Sequence, residues 1–228
     1  MRSGEKPEIA RLPLFRDMDD TLRERVFSGS FLQVFPPQLV LFELGQRADF
    51  LHVLVDGLVE LSVNSGGRDT TMRIVEPVTS FILAAVVNDL PYLMTARTLE
   101  PSRVLLVPAA LIREVIRQDA ALMQATMREL ALAYRDLVRA LADMKMRQSA
   151  ERLGNYLLQQ ESQQTAAGTI HLKGEKRLLA SLLGMTPENL SRAFSTLASH
   201  GVRVNGGKIT IIDRDALCEF SRPDPIPV

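Results

Sequence analysis

With Cys218 its single cysteine in 228 residues, the chain has no second thiol for an intrachain disulfide and no thiolate set for a multi-cysteine zinc or iron–sulfur site. Histidine is nearly as scarce: His52, His171 and His200 are the full complement. His52 is the only one in the β-rich region at 31–107, where a metal-dependent barrel enzyme would need several histidines and a carboxylate. No Gly-rich phosphate loop and no G-x-S-x-G elbow occurs. A non-enzymatic role is therefore expected, and a barrel metalloenzyme is the alternative that stoichiometric non-haem metal would revive. Nor is there an apolar run approaching the roughly 18 residues of a membrane span, and the N-terminus MRSGEKPEIARL lacks the apolar core of a signal peptide. Those two absences predict a cytoplasmic protein with no membrane partner.

An excess of charge of either sign is also missing, since 27 Lys and Arg balance 27 Asp and Glu. The balance is uneven along the chain. From Lys145 onward there are 11 basic against 8 acidic residues, leaving 16 against 19 before it, so the C-terminal part is the one suited to a polyanion. A hydrophobic content of 46% over this length supports a sizeable core and two domains.

Residues 186–197, T-P-E-N-L-S-R-A-F-S-T-L, read as a helix with Thr186 as N-cap and Pro187 at its first position. Leu190, Ala193, Phe194 and Leu197 follow the i, i+3, i+4, i+7 pattern of a buried stripe, while Glu188, Ser191, Arg192 and Ser195 project from the other face. A short helix at 176–183 precedes it, with Leu179, Leu182 and Leu183 on one side, and Gly184-Met185 supplies the turn. This is the pattern of a helix-turn-helix. Downstream, His200-Gly201 stops the helix and Asn205-Gly206 lies between two short β runs in 202–212, a hairpin signal that makes the unit a winged one. A polar loop at 162–168 and a loose tail at 222–228 bracket the unit.

Upstream, short β-rich runs at 31–34, 39–42, 50–55, 58–63, 70–75 and 103–107 are separated by Gly, Pro and Asp-Gly signals, which predicts a small antiparallel barrel or jelly roll. A helix is expected over 17–28, with Leu22, Val26 and Phe27 on one face. From about Asp119 a long helix carries Met123, Met127, Leu130, Tyr134, Leu137, Leu141 and Met144 at alternating spacings of four and three, an unbroken heptad seam. One narrow seam on a helix of that length points to pairing with a second copy, the alternative being packing on the barrel of the same subunit. The pattern loses phase at 146–149 and a new amphipathic helix follows with Leu153, Tyr156 and Leu157. The expected fold class is α+β, divided into a β-barrel sensing domain at 1–118, a dimerisation helix at 119–145 and a winged helix-turn-helix at 146–228.

This order of parts resembles the CRP/FNR family of bacterial transcription regulators over nearly the whole chain. The resemblance rests on Leu41-Phe42 through Gly45-Gln46, on F-L-H-V-L-V-D-G-L-V at 50–59, and on the E-x-x-S-R of Glu188, Ser191 and Arg192. The E-x-x-S-R form is similar to the recognition helix of the FNR side of the family, which implies a homodimer on double-stranded DNA at a palindrome with TTGAT-like half-sites, and RNA polymerase as a further partner. In that reading Glu188 accepts from a cytosine amino group, Arg192 engages guanine and Ser191 touches a neighbouring base. Lys176, Arg177 and Lys208 are better placed for phosphate. Local roles remain open beside these, because Glu188 also complements a helix N-terminus and Arg192 stands at i+4 from it.

For the effector, the departures from the family are informative. Its cyclic-AMP-binding members carry a Gly-Glu pair and then an Arg-Ser pair around the ribose and phosphate, whereas the equivalent stretch here, TSFILAAVVNDLPYLM at 79–94, offers no cation. Cyclic-nucleotide binding is therefore not expected, since a buried phosphate without a positive partner is strongly disfavoured. Cluster-based oxygen sensing would need more cysteines than one. The apolar stretch at 81–87, Pro91-Tyr92 and the I-I-D-R-D-A-L-C-E-F run resemble the nitric-oxide-responsive branch of the family, which implies haem as a possible cofactor. Candidate pocket residues are His52, Phe81, Leu83 and Tyr92, with His52 the candidate axial ligand or, alternatively, a packed strand histidine. A barrel with no effector at all, serving as a structural platform, is the remaining alternative.

Overall fold

A computed structural model of the chain describes residues 4–163, 169–172 and 175–223; most of the expected polar loop and tail, at 164–168 and 224–228, lies outside the described residues. In chain order the elements are α1 (Lys6–Ala10), α2 (Asp20–Ser28), β1 (Phe31–Phe35), β2 (Val40–Phe42), β3 (Phe50–Asp56), β4 (Val59–Ser65), β5 (Arg68–Val75), β6 (Thr79–Phe81), α3 (Leu83–Asn88), β7 (Thr95–Thr98), β8 (Ser102–Pro108), α4 (Ala109–Ile116) and α5 (Ala120–Met146). Then follow α6 (Ser149–Gln163), β9 (Thr169–His171), α7 (Lys176–Leu182), α8 (Pro187–Ala198), β10 (Val202–Asn205), β11 (Lys208–Ile211) and α9 (Arg214–Ser221). The chain forms two compact units, Met1–Asp136 and Leu137–Val228, and α5 contributes to both.

The first unit is built on two antiparallel four-stranded sheets, ordered β1-β8-β3-β6 and β2-β7-β4-β5. They share one core with the helices packed on them: Leu51, Val53, Val59, Leu61, Phe81, Ala96, Val104 and Leu105 are all buried. Every residue from 51 to 55 of β3 is buried, because α3 and α4 pack against the strand that the facing sheet covers on its other side. Burial of each such aliphatic side chain contributes about 1.5–3 kcal/mol. Two aspartates start the helices. Asp19 caps α2 by accepting from Thr21 N at 2.9 Å and Leu22 N at 3.1 Å. Asp119 accepts from Leu122 N at 2.7 Å to start α5, while its other oxygen takes the Asp19 N–H at 2.8 Å.

Within 79–98 the structure adds β6, α3 and β7, which the strand runs of the sequence do not include. The apolar composition of that stretch carries neither a period of two nor one of 3.6, and α3 spans only six residues. Ile82 and Asp89, on either side of α3, both adopt left-handed backbone at φ +60° and +53°. For a β-branched residue such as Ile82 that conformation is strained.

In the second unit α6, α7, α8 and α9 surround the small sheet β10-β11-β9. Leu153, Leu157, Ile170, Leu197, Ile209 and Leu217 form its fully buried centre. The wing hairpin turns one residue later than the Asn-Gly signal suggests: Asn205 pairs with Lys208, so the loop is Gly206-Gly207, with Gly206 at φ +62° where other residues are strained. Among the described residues no helix is long and apolar enough to cross a membrane.

Candidate nucleic-acid interface

The exposed face of α8 is held by two kinds of local order. Thr186 caps α8 by accepting from Asn189 N at 3.2 Å, and Pro187 occupies its first turn. Leu190, Ala193 and Leu197 then anchor the helix in the core of the winged unit. α7 is fixed against it through the turn, where Met185 is buried and donates its N–H to Ala180 O at 2.9 Å. With that stripe inward, Glu188, Ser191, Arg192 and Ser195 are all exposed on one face of α8.

The Glu188 carboxyl is held below the usual carboxylate range, first by its own backbone N–H and then by the Thr186 hydroxyl, with the Arg192 charge adding to both. It is thus a first-turn acid at a helix N-terminus that remains exposed and able to accept a further hydrogen bond. Lys176, Arg177 and Lys208 are exposed and form no ion pair among the described residues. Lys176 is drawn toward α8, with Nζ 5.8 Å from the centre of the Phe194 ring.

Between α8 and the wing lies a cleft of about 570 Å³, floored by Leu190, Phe194 and Val202 and rimmed by Lys176, Ser191 and Arg203. Arg203 was not among the residues singled out from the sequence. It is exposed, without an ion pair among the described residues, and lies on the strand opposite Thr210. The available signal was a basic residue between Val202 and Val204 on an alternating wing strand, which the Asn-Gly turn should have oriented. Five cations, Lys176, Arg177, Arg192, Arg203 and Lys208, thus stand on α7, α8 and the wing, an arrangement able to hold phosphates on either side of the exposed face of α8.

The heptad seam is largely uncovered within the chain. Met127, Tyr134, Leu137 and Met144 are 65%, 67%, 63% and 61% exposed, and Met123 and Leu141 are also open to solvent. Leu130 differs, being packed against the barrel core. A second face of α5 meets the barrel through buried Leu122 and Thr126 and through Glu129, which accepts a hydrogen bond from the Ser80 hydroxyl. Burial raises the Glu129 carboxyl above its ordinary range.

The proposed effector residues converge in the barrel core. His52, Phe81 and Tyr92 join Phe42, with ring centres 4.8 Å apart for His52–Phe42, 5.4 Å for His52–Phe81 and 3.9 Å for Phe42–Tyr92. Leu83 is buried in the same core. The Tyr92 hydroxyl donates to Phe50 O at 3.0 Å. Burial lowers the His52 pKa to about 4, and its Nδ1 has no hydrogen-bond partner. A neutral imidazole with an unused lone pair suits a metal ligand chemically. The space does not suit haem: aromatic rings occupy the surroundings of His52 at contact distance, and a porphyrin would have to separate them. Two cations border the 79–94 stretch: Arg113 of α4 is engaged with Val86 O at 2.9 Å and Asp89 at 3.2 Å, and Arg47, bridged to Pro91, lies 3.7 Å from Asp89. His171 pairs opposite Lys208 in the wing sheet, and His200 stacks on Phe220 at 4.1 Å. Among the described residues no three His, Cys, Asp or Glu gather as a metal site.

Comparison with known proteins addresses the same two units. Residues 32–119 match the family model of the cyclic nucleotide-binding domain, and residues 151–220 match that of the Crp-like helix-turn-helix domain. A segment of 101 residues is 29% identical to the potassium channel KOR1 of Oryza sativa subsp. japonica; it is 44% of this chain but spans only 12% of that curated relative. A solved structure from Ruegeria pomeroyi, described as a candidate cyclic nucleotide binding protein, is 26% identical over 98% of this chain and all of its own, with a TM-score of 0.63. FixK2 of Bradyrhizobium japonicum shares the fold at 20% identity and a TM-score of 0.72, over 83% of this chain and 96% of its own.

Proposed function

We propose that this chain, whose two units match a cyclic nucleotide-binding domain and a Crp-like helix-turn-helix domain, is a CRP/FNR-type, cytoplasmic, homodimeric, sequence-specific transcription regulator. The observation that carries the proposal is the exposed face of α8, where Glu188, Ser191 and Arg192 stand together inside a rim of cations that form no ion pair among the described residues. Two such faces, related by the two-fold axis of paired α5 seams, would read successive major grooves about 34 Å apart, which is the geometry of an inverted repeat. The preferred operator is a repeat of TTGAT-like half-sites. Arg192 supplies the bidentate contact to guanine and Glu188 the acceptor for a cytosine amino group. RNA polymerase is the partner through which such a regulator would act.

The barrel is read as a sensing domain that takes neither a cyclic nucleotide through a phosphate contact nor haem as its interior is packed. Engagement of the bordering cations Arg113 and Arg47 with Asp89 supports the first statement, and the Phe42–His52–Phe81–Tyr92 cluster supports the second. The same cluster favours a second reading, a barrel that keeps its shape with no bound group and leaves DNA binding constitutive.

The test is fluorescence anisotropy on an inverted TTGAT repeat and on a scrambled duplex of equal length. Wild type is expected to prefer the repeat, and Arg192→Ala to lose about 1–3 kcal/mol of that preference while remaining a dimer. Equal affinity of both proteins for both duplexes would overturn the reading.

A further inference from the structure

The corner between α5 and α6 consists of two non-helical residues, Arg147 and Gln148. A backbone break there leaves two φ/ψ pairs able to reorient whatever follows, unless side chains hold them. Arg147 does so from a buried position, its side chain only 8% exposed. Nε donates to Asp143 on the last turn of α5 at 2.6 Å. Nη1 donates to Ser221 O at 2.8 Å and also to Arg222 O, the carbonyls at the end of α9. With its amide oriented to present oxygen, Asn155 of α6 accepts from Nε at 2.8 Å and Nη1 at 3.1 Å. One guanidinium thus gathers the end of α5, the first half of α6 and the C-terminus of α9, where a cation complements the helix dipole.

A second arginine extends the connection to the helix-turn-helix. Arg152 donates to Arg147 O at 2.8 Å and, through Nε, to Leu183 O at 3.2 Å, in the turn between α7 and α8. The contact between α6 and α9 is close enough that a Cβ on Gly154 would fall 1.9 Å from Ser221 Oγ. The corner is therefore linked by charge-assisted bonds to the turn that presents the recognition helix.

We propose that Arg147 is a positioning residue that sets which spacing of half-sites the dimer accepts, an inference that rests on the dimeric DNA-binding reading above. Buried as it is, it acts on DNA only through the angle of the corner. A recognition helix lies about 17 Å from the two-fold axis, half of the roughly 34 Å between successive grooves. A displacement of each helix by about 3 Å, close to the rise of one base pair, is enough to change the gap at which both engage. Releasing the guanidinium fork lets that angle vary. The loss falls on simultaneous engagement of two half-sites, and each winged unit by itself keeps its contacts.

The experiment uses the full chain on inverted TTGAT repeats whose central gap changes one base pair at a time, and on a duplex with a single half-site. Wild type is expected to show a sharp optimum in gap length. Arg147→Ala should lose about tenfold at that optimum, bind neighbouring gaps nearly as well as the best one, and keep its single-half-site affinity. Arg147→Lys retains the charge without the fork, so it should lose less stability than Arg147→Ala and still show the broadened gap profile. A sharp optimum in both variants would overturn the proposal, as would a parallel fall in single-half-site affinity in the folded lysine variant. Failure of wild type to prefer any repeat would instead overturn the DNA-binding reading itself.

Discussion

Replacing Leu137 with glutamate probes the open part of the α5 seam. Leu137 is 63% exposed within the chain, so the substitution removes almost nothing from the folded monomer. Fully burying a leucine contributes about 1.5–3 kcal/mol, and the area left for a partner to cover corresponds to about 1–2 kcal/mol. Two-fold symmetry counts the position twice, giving about 2–4 kcal/mol, and at about 1.4 kcal/mol per decade the dimer dissociation constant rises about thirtyfold to several-hundredfold. Two carboxylates brought together across the seam add to the loss. Sedimentation equilibrium measures the constant, and circular dichroism checks that helix content is kept. As a contrast, Leu130→Glu should reduce the melting temperature, because that seam residue packs on the barrel core. An unchanged dissociation constant for Leu137→Glu would refute the assignment of the seam to self-association.

His52 titrates near 4 in the folded protein against about 6.5 when unfolded. Between those values the unfolded chain binds a proton that the folded chain refuses, so stability falls as pH drops through the window, by on the order of 3 kcal/mol. His52→Phe should remove that loss, seen as a wild-type-minus-variant difference in thermal melts that shrinks toward neutral pH; parallel profiles would contradict it. Glu129, whose carboxyl is raised, contributes with the opposite sign, and the difference between variants cancels it. Gly154→Ala should cost about 1–3 kcal/mol through the clash with Ser221, and adding Ser221→Gly should restore part of it in thermal melts. Arg203→Ala should weaken binding to all duplexes about equally and reduce the slope of log affinity against log salt by about 1, whereas a changed sequence preference would place Arg203 at the bases.

The recognition helix was legible because its signals are local: Thr186, Pro187 and the Leu190–Ala193–Leu197 stripe lie within twelve residues and act on one another directly. The strands were legible through their alternation and the turns between them, and the wing turn was misplaced by one residue because Gly206 and Gly207 together offered two registers. What the chain does not show in its own order is contact between distant residues. Arg147 meets carbonyls more than seventy residues away, and nothing near it in sequence distinguishes it from the exposed arginines of α5. The orphaned Nδ1 of His52 and the ring cluster around it depend on three strands and a loop meeting in the core. Periodicity placed the residues on faces; the barrel decided that the space between those faces was already filled by side chains.

The central claim is that two α8 helices read one palindrome as a symmetric pair. Stoichiometry and affinity measured together, by native mass spectrometry and anisotropy on an intact inverted repeat and on one with a single arm scrambled, test it most directly. Two chains per intact duplex are expected, with loss of most of the specific affinity when either arm is destroyed. One chain per duplex, bound equally well with an arm scrambled, would contradict it.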